Sequence, residues 1–73
     1  MIGFRLHVNR AGGHCHFGVY CGDVPEGSDP AHTTYGFCGV MSMQAEEYRA
    51  FSHALCTSNA IHFEEITTEV THG

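Results

Sequence analysis

The chain has no lysine. Its only fixed positive charges are Arg5, Arg10 and Arg49, set against eight Asp and Glu residues for a formal net charge of −5 at pH 7. That deficit excludes the basic stripe by which proteins track a nucleic-acid backbone or an anionic membrane. Long apolar runs are missing too. No stretch approaches the ~20 residues of a membrane-spanning helix, and the first ten residues contain neither the apolar segment nor the small-residue cleavage site of a secretory signal. The four cysteines are therefore expected as reduced thiols in a cytoplasmic protein. Cys-x-x-Cys is absent, as are Gly-x-Gly-x-x-Gly and the phosphate-binding P-loop, so zinc-ribbon, thioredoxin and nucleotide-binding readings all fail on spacing. No cysteine or serine stands at a spacing that argues for an activated nucleophile, and the expectation is that the chain is not an enzyme.

What is present is a clear period of two. Ile2, Phe4, Leu6 and Val8 alternate with Gly3, Arg5, His7 and Asn9, as in a half-buried strand. Arg10-Ala11-Gly12-Gly13 follows as a turn. Cys15, Phe17, Val19 and Cys21 then alternate with His14, His16, Gly18 and Tyr20. Pairing Asn9 with His14 sets Val8 against Cys15 and Leu6 against Phe17. A slip of one residue would put the apolar sets on opposite faces, so the pattern defines the register up to a two-residue shift.

Gly22–Ala31 reads as a loop and Thr33–Met41 as a third strand weakened by Gly36 and Gly39, where a bulge or a close backbone approach is expected. Ser42 is the expected N-cap of a helix over 43–56, which Thr57, Ser58 and Asn59 end. Ala45, Tyr48, Phe51 or Ser52, and Leu55 recur along it at helical spacing. Ala60–Val70 reads as a last strand in which Ile66 breaks parity, so a bulge or an end to pairing is expected there. The expected architecture is a single α+β domain over residues 1–73, with element order β-β-β-α-β. Its sheet is mainly antiparallel, with the last strand parallel to the first or third, reached by a right-handed crossover. The helix covers the face of Phe4, Leu6, Phe17 and Val19, and the opposite face stays open. A chain of this length buries only about 60% of its unfolded surface, which favours binding or assembly over an internal substrate pocket.

The charge pattern points to protein binding. Asp23, Glu26 and Asp29 in the loop, Glu46 and Glu47 on the helix, and Glu64, Glu65 and Glu69 in the last strand are the candidate contacts for a protein partner with a basic surface. In size and charge alone the chain resembles the short acidic single-domain proteins of phages and mobile elements. Anti-CRISPR inhibitors are among them, and the resemblance implies an inhibitor that binds a host complex. Two other readings rest on the open face. One is a homo-oligomer joined through Tyr20, Tyr35 and the histidines. The other is a zinc site at His7, His14 and His16: His-x-His puts two rings on one side of a strand, and the register above sets His7 opposite His16. No carboxylate lies nearby in sequence to orient those rings. Cysteines are otherwise expected to act as small apolar core residues, with a Cys21–Cys38 contact relevant only in an oxidising setting.

Overall fold

The computed structural model describes residues 1–69, without the Glu69 side chain. Four strands form one mixed sheet in the order β3-β2-β1-β4. They are β1 (Ile2–Ala11), β2 (His14–Asp23), β3 (Gly36–Gln44) and β4 (Ile61–Glu69), and α1 (Ala45–Thr57) joins the last two. β1 is antiparallel to β2 and parallel to β4, and β2 is antiparallel to β3. The small α+β architecture is the one expected, with the last strand beside the first. Val70, expected to end that strand, lies outside the described residues.

The hairpin register differs from the expected one by two residues. Ala11 pairs with His14, so Val8 faces Phe17, Leu6 faces Val19 and Asn9 faces His16. Both registers keep the apolar residues on one side, and turn chemistry decides between them. Gly12 and Gly13 have φ of 53° and 81°, the pair of positive values that a two-residue hairpin turn matched to strand twist requires.

The core is the stripe on α1 against the even residues of β1 and the odd residues of β2. Leu6, Val8, Cys15, Phe17 and Tyr48 are buried, with Val19, Met43, Ala45, Phe51, Leu55 and Phe63 packed around them. The Tyr48 ring lies 5.2 Å from that of Phe17, which in turn is 5.8 Å from Phe51. The Tyr48 hydroxyl donates to Oε1 of Glu65, which occupies the helix side of β4. Burial first, and then that carboxylate, raise the Tyr48 pKa well above the ordinary value for a phenol.

Helix α1 begins two residues later than expected. Gln44 is the N-cap residue, its backbone N–H donating to Glu47 Oε1 at 3.2 Å. Ser42 is used by β3 instead. Ala45 N donates to Gly13 O at 2.9 Å, which fastens the start of the helix to the hairpin turn. β4 also corrects an expectation: it pairs with β1 without a break as far as Glu69, and Ile66 simply faces the open side opposite His7. Extended pairing along β1 outweighs the preference of one isoleucine for the core.

The connection from β2 to β3 is held by its own polar groups. Val24 is buried and exchanges backbone hydrogen bonds with Met1. Asp29 Oδ1 accepts from Ala31 N at 3.0 Å and caps a short 3-10 turn over Pro30–His32. Gly22 and Asp23, expected in the loop, belong to β2. The Tyr35 ring comes back over the sheet where Gly3 pairs with Gly22, and its hydroxyl donates to Pro30 O at 3.1 Å. A Cβ on Gly3 would stand 2.6 Å from Tyr35 Cε1 and 2.9 Å from Val24 Cγ2. Gly3→Val is therefore expected to lift Tyr35 off the sheet and cost about 1–3 kcal/mol, the usual range for overpacking. Urea unfolding checks this, and an unchanged midpoint would show that the ring is not held there.

Candidate interaction face

Helix α1 covers one side of the sheet only. On the other side the odd residues of β1 and the even residues of β2 and β4 meet β3. Because Val19 pairs with Gly39 and Tyr20 with Phe37, Cys38 is the extra residue of a bulge. That bulge sends Phe37 and Val40 to the open side together. Phe37 is 62% exposed and Val40 78% exposed. Tyr20 lies between His7 and Phe37, with ring centroids at 5.0 and 5.4 Å, so three rings run across three strands. Ile66 adds an exposed apolar side chain on β4.

One end of this face is closed by an ion pair and a stacked ring. Arg5 Nε and Nη2 donate to Glu64 Oε2 at 3.1 and 2.9 Å, and its guanidinium carbon sits 4.4 Å from the Tyr35 centroid. Partial burial, and then Glu64, raise the Tyr35 pKa, against the pull of Arg5. His62 Nε2 is 3.8 Å from Glu64 Oε1 and has no hydrogen bond. At the other end His7, Asn9, His16, Gly18, Val40 and Ser42 line a shallow groove.

The three candidate zinc ligands do not converge as expected. The two-residue register shift sets His7 opposite Gly18, and its ring packs on Tyr20. His14 and His16 remain together, with ring centroids 6.2 Å apart and planes 19° from parallel. Among the described residues no three His, Cys, Asp or Glu side chains are grouped to hold a metal ion.

The candidate acidic contacts are dispersed. Asp23, Glu26 and Asp29 lie at the loop end of the sheet, and Glu46 and Glu47 at the hairpin-turn end. Ten-residue strands separate these ends by roughly 30 Å. Several are occupied within the fold. Glu64 is paired with Arg5, Glu65 accepts from Tyr48, and Glu47 caps α1. Asp29 accepts from Ala31 N and lies 2.8 Å from His32 Nδ1, and Asp23 is 3.9 Å from the terminal amine. Glu26 and Glu46 are exposed without such a partner among the described residues. The Glu69 side chain lies outside the described residues.

Cysteine usage departs from the reduced state expected. Cys21 and Cys38 form a disulfide between β2 and the bulge of β3, while buried Cys15 and exposed Cys56 are free. Sequence reasoning missed Phe37, Val40 and Ser42 as residues of the open face. The bulge expected at Gly36 or Gly39 falls at Cys38 between them, and the break it makes in the strand's period is what hid the face of Phe37 and Val40.

Fold and face together define a small α+β protein with a one-sided mixed sheet. No family model, curated protein or solved structure matches the chain. No helix among the described residues is long and apolar enough to cross a membrane.

Proposed function

We propose that this chain is a protein-interaction module that docks a partner on its open sheet face, with Phe37 and Val40 as the apolar centre. The observation that carries the reading is the exposure of these two side chains beside Tyr20 on a face with no covering layer. Apolar and aromatic centres with polar rims are where interface energy concentrates. The partner expected is a protein with an apolar contact rimmed by basic residues. Net charge of −5 and the exposed Glu26 and Glu46 at opposite ends favour such a rim, acting on the rate of encounter more than on the grip. The Cys21–Cys38 bond supports an oxidising setting over the reducing cytoplasm expected from the sequence.

A photo-crosslinking residue placed at position 40, in cells of the organism that encodes the chain, is expected to give one discrete protein adduct. The same residue at position 50, on the exposed side of α1, should give none. Phe37→Asp should remove the adduct, and Glu26→Lys with Glu46→Lys should only reduce it. No adduct from position 40, or equal adducts from both positions, would reject the open face as the docking surface.

A further inference from the structure

We propose that His14 and His16 form a two-imidazole site for a divalent transition-metal ion of the zinc or copper(II) type, with Ser42 holding one ring in the binding orientation. The inference does not depend on the docking face having a partner. His-x-His on a strand projects both side chains from one face. Here the rings lie side by side and exposed, 6.2 Å apart at their centroids and nearly parallel.

The second observation is across the ladder. His16 pairs with Ser42, and the Ser42 Oγ lies 2.5 Å from His16 Nδ1. When Nδ1–H donates to that hydroxyl, the Nε2 lone pair is left free. Metal-bound imidazoles are held in this way, one ring nitrogen donating to an outer partner and the other facing the ion. A hydroxyl from β3 thus takes the part for which the sequence offered no carboxylate.

The His14 side chain has no hydrogen bond or ion pair among the described residues, and the residue sits at the strand end beside the hairpin turn. Two tetrahedral bonds of about 2.0–2.1 Å require the two Nε2 atoms to stand about 3.3 Å apart, so binding requires the His14 ring to turn toward that of His16. The ladder partners Asn9 and Gln44 are uncharged, so no fixed cation opposes the ion at these pairs. Imidazole donors without carboxylates select zinc, copper or nickel over calcium and magnesium. With two protein ligands, the remaining positions are open to water or to a donor from another molecule. His7 is excluded, because its ring is engaged with Tyr20.

Zinc chloride titrated into metal-free full-length protein, followed by calorimetry and native mass spectrometry, tests the site. The expected result is saturable uptake of one zinc per chain, or of one per pair of chains. His14→Gln and His16→Gln should each weaken binding at least tenfold, and Ser42→Ala about tenfold, as loss of an outer-shell partner does. His7→Gln should leave it unchanged, and calcium should not bind. All four positions are exposed, and circular dichroism of each variant reports whether the fold stands. No uptake by the natural sequence would overturn the proposal, as would undiminished uptake by the His14→Gln, His16→Gln double variant, or a loss in His7→Gln equal to that in His14→Gln.

Discussion

Tyr48→Ala is expected to remove a large part of the chain's folding stability, about 3–5 kcal/mol, and to move its urea midpoint down steeply. Tyr48 is 1% exposed and is the largest fully buried side chain. A loss of that size is usual when a buried aromatic is truncated, and a domain of this length has on the order of 4–11 kcal/mol in total. Circular dichroism and urea titration read the loss directly, and a variant with an unchanged midpoint would show that the helix is not anchored through this ring. Tyr48→Phe separates the ring from its hydroxyl. Burial and the Glu65 carboxylate keep the folded-state phenol protonated, so its pKa is raised above that in the unfolded chain. The stability this supplies is complete below pH 10 and falls as pH rises further, by at most about 1.4 kcal/mol per pH unit. Tyr48→Phe should flatten that alkaline decline. An equally steep decline in the variant would assign it to another group.

Reduction of the disulfide is expected to cost about 3 kcal/mol, the loop-closure value for the 17-residue separation of Cys21 and Cys38. For a domain of this size that amounts to a fall of more than 10 °C in melting temperature. Cys21→Ser with Cys38→Ser should show the same fall in buffer without reductant. Cys56→Ser should not, because Cys56 is exposed and unpaired. If reductant left the natural sequence's melting temperature unchanged, the bond would not be holding the bulged end of β3 to β2. The two perturbations act on different ends of the sheet, so their effects are expected to add within a few tenths of a kcal/mol.

Much of the fold was legible because burial on one face imposes a period. Ile2 to Val8 and Cys15 to Cys21 alternate cleanly, and Tyr48, Phe51 and Leu55 mark the stripe of α1, so Leu6, Phe17 and Val19 follow from the pattern. Phe4, expected beside them, is not among the core residues. Register was not legible from alternation, which repeats every two residues and so fits both arrangements. Only the paired positive φ values of Gly12 and Gly13 distinguish them. That two-residue difference separates His7 from the other histidines. The N-cap was misplaced because Ser42 suits a cap in isolation, while pairing with His16 keeps it in β3. Phe37 and Val40 escaped notice because a bulge breaks the period that would have shown their face. Charge was the least informative signal. A list of acids does not reveal that Glu64, Glu65 and Glu47 are bound to Arg5, Tyr48 and the start of α1.

β1 is a central strand, and its two neighbours arrive by different routes. β2 follows a two-residue turn, and such a hairpin closes in microseconds. β4 must return from about sixty residues away, as the Ile2–Ile61 pairing shows. Long-range pairing of this kind is the slow part of folding. In the interval β1 presents a bare row of amide and carbonyl groups to solvent. Another chain's β4 carries the same side chains and fits that row equally well. Refolding at high concentration should therefore populate strand-exchanged dimers, in a proportion set by the ratio of chain encounter to intramolecular closure.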